Sequence, residues 1–268
     1  MGSSRLPVTV VSDEELNLTF HSGLEILRSV RGVVKTAAQK LGLSEEAIYD
    51  IQLAVHEAVA NIIEHGYAGA SDGLIEMHLR DDGDGALVVE LCDSGMACDV
   101  KNIRLRSLDE LQEGGMGLHI INNLVDDIEY KRTPDGKNHL ILTKKNGNWI
   151  KREDTMEHTA LQQDGVVVLT PAGELDVNNV DSLRDLIEGE IAKGTRKLVV
   201  DLADVSYMDS AALGTLVSGL KKARQKNVQF KVANLQDPVE RIFNLTRLSK
   251  FFEIYDSTEE AVNSFQHR

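Results

Sequence analysis

The sequence lacks long apolar runs, has few cysteines and carries no cationic surplus, and each shortage excludes something. No hydrophobic stretch approaches the roughly 18 residues that cross a bilayer as a helix, so no membrane-spanning segment is expected. The opening MGSSRLPVTVV has no apolar core of signal-peptide length, and Leu6 stands where a myristoylation signal needs Ser or Thr. A cytoplasmic protein is expected. The two cysteines, Cys92 and Cys98, lie in the segment CDSGMAC. Paired-cysteine metal sites use a gap of about two to four residues and a second pair elsewhere, and both features are missing. The two read as reduced thiols. Against 43 Asp and Glu there are 29 Lys and Arg, a formal net charge of −14. Such a surface repels phosphate backbones and anionic membranes, which argues against nucleic acid as a direct partner and leaves protein partners open.

The chain holds 268 residues, enough for two domains at roughly 100–200 residues each. No internal repeat joins its halves. In the first half, LNLTFH alternates as a strand does, and apolar residues from Leu24 to Leu41 recur at helical spacing. Ser44 has the character of an N-cap, with Glu45 and Glu46 in the first turn of a helix running to about Ile63. IEMHLRDD and ALVVELCD predict two strands around a DGDG turn, and IEYKR and NHLILTKK a closing hairpin around TPDGK. Between them GLHIINNLVDD predicts a short helix. The expected first domain, 1–145, is α+β with a mostly antiparallel sheet. Residues 146–158 are polar and aperiodic and read as a linker. From 159 to 268, strands alternate with helices, which predicts an α/β domain with parallel pairs in a mixed sheet.

Glu57 and Asn61 are four apart in HEAVANIIEHGY, so a helix puts them on one face, one turn apart. A carboxylate and a carboxamide placed so can serve a proton transfer and a metal ion; on spacing alone an ordinary polar helix face remains open. Asp93-Ser-Gly95 ends an apolar strand, where an Asp can accept from an exocyclic amine or simply begin a turn. In GGMGLHII, glycines 115 and 117 run into a helix N-terminus, which exposes backbone N–H groups to an anion.

In this order and spacing, the three segments resemble the N, G1 and G2 boxes of the GHKL ATPases, and most closely the small serine kinases that act as anti-sigma factors. The resemblance covers roughly residues 15–145. It implies that Asn61 holds the Mg²⁺ bridging the ATP phosphates and that Glu57 takes the proton of the attacking serine. It further implies that Asp93 receives the adenine amino group, that Gly95 allows the base close approach, and that Gly115 and Gly117 let a lid wrap the phosphates. Ala97, Cys98 and Met116 depart from the pattern, the last where a basic residue is frequent, and this bears on the rate of turnover.

In the second half, VSYMDSAALGTLVSGL resembles the switch region of STAS domains, the antagonists of anti-sigma factors, with GELDVNN and PVERIFNLTRL matching on either side. The resemblance implies that Ser210, directly after Asp209, is the phosphoacceptor. Ala211 removes the usual neighbouring hydroxyl. A simple helix-cap role for Asp209 or Ser210 stays open beside it. The implied function is partner switching. An ATP-dependent serine kinase, slow or conditional, captures a sigma factor and phosphorylates an antagonist domain, its own or another's; a serine phosphatase resets it, and a homodimer is expected. The alternative is a nucleotide-binding docking module without turnover, its STAS domain a fixed adaptor.

Overall fold

The structure, a computed structural model, describes residues 8–10, 15–97, 116–146 and 165–265. They fall into two compact units, the first ending at residue 146 and the second running from 165 to 265. The linker proposed over 146–158 lies, past Asn146, outside the described residues, as do Cys98 and Gly115.

The first unit runs β1 (Val8–Val10), β2 (Glu15–His21), α1 (Leu27–Lys40), α2 (Glu45–Asn61), β3 (Leu74–Asp81), β4 (Leu87–Asp93), α3 (Met116–Leu124), β5 (Asp127–Arg132) and β6 (Asn138–Lys144). Its strands form one sheet in the order β1-β2-β3-β4-β6-β5, every pairing antiparallel. Alternation sets the faces. Leu18, Phe20, Ile75, Met77, Val89, Leu91 and Leu142 point to the buried side, while Asn17, Glu76, His78, Glu90 and His139 line the other. Ser44 is the cap the sequence predicts: its Oγ accepts from the Ala47 N–H at 3.2 Å. Two helices differ from expectation at their ends. α2 stops at Asn61 and continues as a π-helical turn, Ile62–Gly66. α3 ends at Leu124 because the chain after it is drawn into the sheet, where the Asp126 N–H donates to the Thr143 carbonyl at 2.9 Å.

The second unit runs β7 (Val166–Leu169), β8 (Gly173–Leu175), α4 (Val180–Ala192), β9 (Lys197–Asp201), β10 (Val205–Met208), α5 (Ser210–Gln225), β11 (Gln229–Ala233), α6 (Asp237–Leu245), β12 (Glu253–Tyr255) and α7 (Thr258–Asn263). One sheet has the order β12-β11-β9-β7 and a second pairs β10 with β8. The mixed sheet expected here is parallel in all pairings among the described residues. The single strand expected over KLVVDLADV is broken after Asp201, whose Oδ1 accepts from the Ala203 N–H at 2.9 Å and turns the chain from the first sheet to the second. On one face of the larger sheet, Ala261 and Phe265 pack with Val166, Val199 and Ala233. On the other, α5 lies close to α4 at Gly219, where a Cβ would stand 2.8 Å from Ile187 Cγ2 and 3.6 Å from Phe230 Cε2.

A buried ion pair ties the first unit together. Lys144 Nζ, on β6, donates to Asp50 Oδ2 of α2 at 2.8 Å and to the Leu124 carbonyl closing α3, also at 2.8 Å. One cation thus holds two helices to the sheet. Removing one member of such a pair leaves a buried charge short of its partner and costs about 3–5 kcal/mol. Lys144→Ala should therefore lower the stability of the first unit by about 3 kcal/mol, read from its thermal unfolding, while the transition of the second unit stays in place.

Candidate functional site

The end of α2 and the start of α3 meet. Glu57 is buried in the last turns of α2, and Asn61 closes the helix. Gly117, the second residue of α3, lies against both: a Cβ there would sit 2.5 Å from Glu57 Oε2 and 3.6 Å from Asn61 Nδ2. A side chain at this position would displace the Glu57 carboxylate. Asn61 Nδ2 is buried and makes no hydrogen bond among the described residues. A polar atom in that state costs about 1–3 kcal/mol, and a ligand that uses the carboxamide can offset it. A carboxylate, an orphan amide donor and a helix N-terminus therefore share one place: the donors suit the oxygens of a polyphosphate, and Asn61 Oδ1 is the atom of the carboxamide that could hold Mg²⁺.

The π-helical turn after Asn61 links this corner to the end of β4. π-turns add a residue to the helix and recur at functional sites. Here the turn presents the Gly66 carbonyl, which accepts from the Met96 N–H at 2.9 Å. It also brings Gly66 under Gly95, where a Cβ would fall 2.7 Å from the Gly66 backbone. Asp93, buried at the end of β4, uses one oxygen to shape this loop. Its Oδ1 accepts from the Gly95 N–H at 2.7 Å and from Asn138 Nδ2 at 2.9 Å. Among the described residues both bonds fall on Oδ1, which leaves Oδ2 as the acceptor for an amine.

Asn138 is the member of this site that the sequence reading did not single out. It faces Asp93 across the β4–β6 ladder and is itself buried. Its Oδ1 accepts from Tyr130 Oη at 2.9 Å and Arg132 Nη1 at 2.6 Å, so its amide is fixed with the nitrogen toward Asp93. The available signal was the cross-strand register of ALVVELCD with NHLILTKK, which sets the two residues opposite. Of the residues named for the first site, Glu57, Asn61 and Gly117 come together, and Asp93 and Gly95 join them through Gly66. Gly115 lies outside the described residues. Met116 opens α3.

In the second unit the helix cap belongs to Asp209. Its Oδ1 accepts from the Ala212 N–H at 2.9 Å, and its Oδ2 from the Val177 N–H at 2.8 Å. It is almost fully buried and joins the loop after β8 to the start of α5. Capping by Asp209 places Ser210, partly exposed, as the first residue of α5. Ala211 and Ala212 follow, and the next hydroxyl, Thr215, is buried. Ser210 is thus the accessible hydroxyl of that helix start.

Residues 20–144 match the histidine kinase-like ATPase domain family, and residues 158–261 match the STAS domain family. The serine-protein kinase RsbW of Halalkalibacterium halodurans is 30% identical over 126 residues, 44% of this chain and 76% of that protein. The anti-sigma-B factor antagonist of Staphylococcus aureus is 34% identical over 97 residues, 36% of this chain and 90% of that protein. The chain belongs to the anti-sigma factor serine kinase family, fused to a STAS antagonist domain. An anti-sigma factor antagonist structure from Mycobacterium paratuberculosis covers 43% of this chain and 97% of its own, at 26% identity and a TM-score of 0.37. The antiparallel unit with its three helices is the kinase-family half, and the parallel unit is the STAS half. No helix among the described residues is long and apolar enough to cross a membrane.

The Asp93–Asn138 contact gives this family member a measurable signature. A hydrogen bond to a carboxylate contributes about 1.5–3 kcal/mol. A double-mutant cycle of Asp93→Asn with Asn138→Ala, followed by the unfolding of the kinase-family half, should return a coupling of about 1–2 kcal/mol.

Proposed function

We propose that the kinase-family half transfers the γ-phosphoryl group of Mg·ATP to Ser210 of a STAS domain, in the same chain or in another copy, and that this transfer switches protein partners. The observation that carries the reading is the meeting of Glu57, Asn61 and Gly117 at one corner, joined through Gly66 to Asp93 and Gly95. Phosphoryl transfer needs positioning and charge neutralisation more than covalent help from the protein.

Each residue then has a task. Asp93 Oδ2 accepts from the adenine amino group, with Asn138 holding the carboxylate in place. Gly95 keeps the wall flat so that the base can lie against it. Asn61 holds Mg²⁺, which neutralises charge on the phosphates. Gly117, at the start of α3, leaves its backbone N–H open to the phosphates, and the family resemblance assigns Gly115 to the lid that wraps them. Glu57 accepts the hydroxyl proton of Ser210 as its Oγ bonds to the γ-phosphorus; the bond to the β,γ-bridging oxygen breaks and ADP leaves. Phosphoserine adds about −1.5 to −2 charge at the N-terminus of α5, where the helix dipole tolerates it. The STAS half stays folded while the sign of its docking surface changes.

By the same reading the kinase-family half captures a sigma factor, a separate serine phosphatase restores Ser210, the domains divide at 1–145 and 159–268, and the protein works as a cytoplasmic homodimer. A second reading, a nucleotide-binding docking module without turnover, is favoured by Met116 and Ala97, which stand where a basic residue and a glycine are frequent. Retention of both Glu57 and Ser210 favours the kinase.

Incubation with Mg·ATP followed by intact-mass measurement separates the two. One added phosphate is expected on the wild-type chain and none on Ser210→Ala, with the rate falling by about 10²–10⁴ in Glu57→Ala. Nucleotide binding with no phosphate on the chain or on a supplied STAS antagonist would establish the docking module instead.

A further inference from the structure

The outer face of the kinase-family sheet carries a group of side chains that the nucleotide site does not use. Cys92 on β4 and His139 on β6 are direct cross-strand partners, and Glu90 lies two residues before Cys92 on the same face. The His139 ring nitrogen Nδ1 is 3.3 Å from Cys92 Sγ and 2.7 Å from Glu90 Oε1. One ligand atom from each of the three lies within 4.8 Å of the others. A tetrahedral zinc ion with its usual bond lengths sets ligand atoms about 3.3–3.6 Å apart, so small side-chain rotations suffice to admit one. Cys92 is buried, whereas the His139 and Glu90 side chains are 25% and 32% exposed, which gives an ion a path in from solvent.

We propose that Glu90, Cys92 and His139 form a binding site for a borderline-soft divalent cation of the zinc type, distinct from the Mg²⁺ position at Asn61. Thiolate and imidazole ligands select zinc over magnesium, and three protein ligands leave a fourth position for water or for Glu76, the partner of Cys92 on β3. The surroundings suit a cation. Burial, followed by the carboxylates of Glu90 and Glu76, pushes the Cys92 thiol up to about 12, so binding must displace the thiol proton, while the two carboxylates place negative charge beside the ion. His78 and Lys131 also face this row from β3 and β5, with Lys131 paired to Glu129 and Lys137 to Glu76. Binding is written Zn²⁺ + Cys92–SH → Zn²⁺–S–Cys92 + H⁺. The 2.7 Å contact with the Glu90 carboxylate puts the His139 proton on Nδ1 in the metal-free chain, so binding shifts that proton to Nε2 and frees the Nδ1 lone pair.

The place of the site gives it a consequence. The pair Cys92–His139 is the next rung of the ladder after Asp93–Asn138, on the opposite face of the same two strands. A bound ion would staple β4 to β6 directly behind the residues that hold the loop at Gly95. This inference stands whether or not the chain is an active kinase.

The test uses the reduced full-length chain without nucleotide and Co²⁺ as the spectroscopic probe. Wild type and Cys98→Ser should develop a thiolate-to-cobalt charge-transfer absorption that Zn²⁺ abolishes, and Asn61→Ala should keep it. Cys92→Ser should lose the absorption, and His139→Ala and Glu90→Gln should bind Co²⁺ at least about tenfold more weakly. The two exposed-face variants decide the matter if Cys92→Ser does not fold. No absorption in the wild type, an absorption that follows Cys98 instead of Cys92, or unchanged affinity in both His139→Ala and Glu90→Gln would overturn the proposal.

Discussion

The kinase-family half depends on the close approach of Gly117 to Glu57 and Asn61. There α3 brings no Cβ to the contact; one at Gly117 would stand 2.5 Å from Glu57 Oε2 and would push that carboxylate aside. The contact leaves a buried carboxylate and a buried orphan amide side by side, an arrangement that a packed core does not favour. Local rules are broken at sites that act on something, and the rest of the unit offsets the cost. Here the offset includes the sheet, the α2 cap at Ser44 and the cation of Lys144 that anchors α2 and α3 to β6.

From that corner the site extends by backbone. The π-turn after Asn61 carries Gly66 beneath Gly95, and the Met96 N–H closes on the Gly66 carbonyl. Asp93 organises the loop with one oxygen, which Asn138 holds, and the proposed function gives the other to the adenine amino group. In the STAS half a single aspartate does comparable work, since Asp209 caps α5 and fastens the loop after β8. The hydroxyl beside it is thereby spared the capping role.

Periodicity and capping signals carried most of this fold. The Leu24–Leu41 stripe, Ser44 before two glutamates, and the DGDG and TPDGK turns each correspond to an element within a few residues. The misses share a cause, which is that long-range hydrogen bonds overrode local pattern. The strand over KLVVDLADV broke because Asp201 turns back on Ala203, and GLHIINNLVDD shortened because Asp126 pairs with Thr143. Both parallel sheets were legible as alternation of strand and helix, which gave parallel pairs, but not as a division into two sheets. Order and spacing named Glu57, Asn61, Asp93, Gly95 and Gly117, which the fold brings into one region. They did not name Asn138, because its role comes from cross-strand register with Asp93. Cys92 reads as a free thiol and is one, but its neighbours, a histidine across the ladder and a glutamate two residues back, come from register and were not legible along the chain.

Base discrimination tests most directly the proposed role of Asp93 Oδ2 as acceptor for the adenine amino group. Equilibrium binding of ATP and of inosine triphosphate to the wild-type chain compares an amino donor with a carbonyl acceptor at the same ring position. ATP should bind at least about tenfold to a hundredfold more tightly, since the carbonyl would face a buried acceptor with no proton to share. Equal affinity for the two would contradict the account, because the pocket would then be reading phosphates alone.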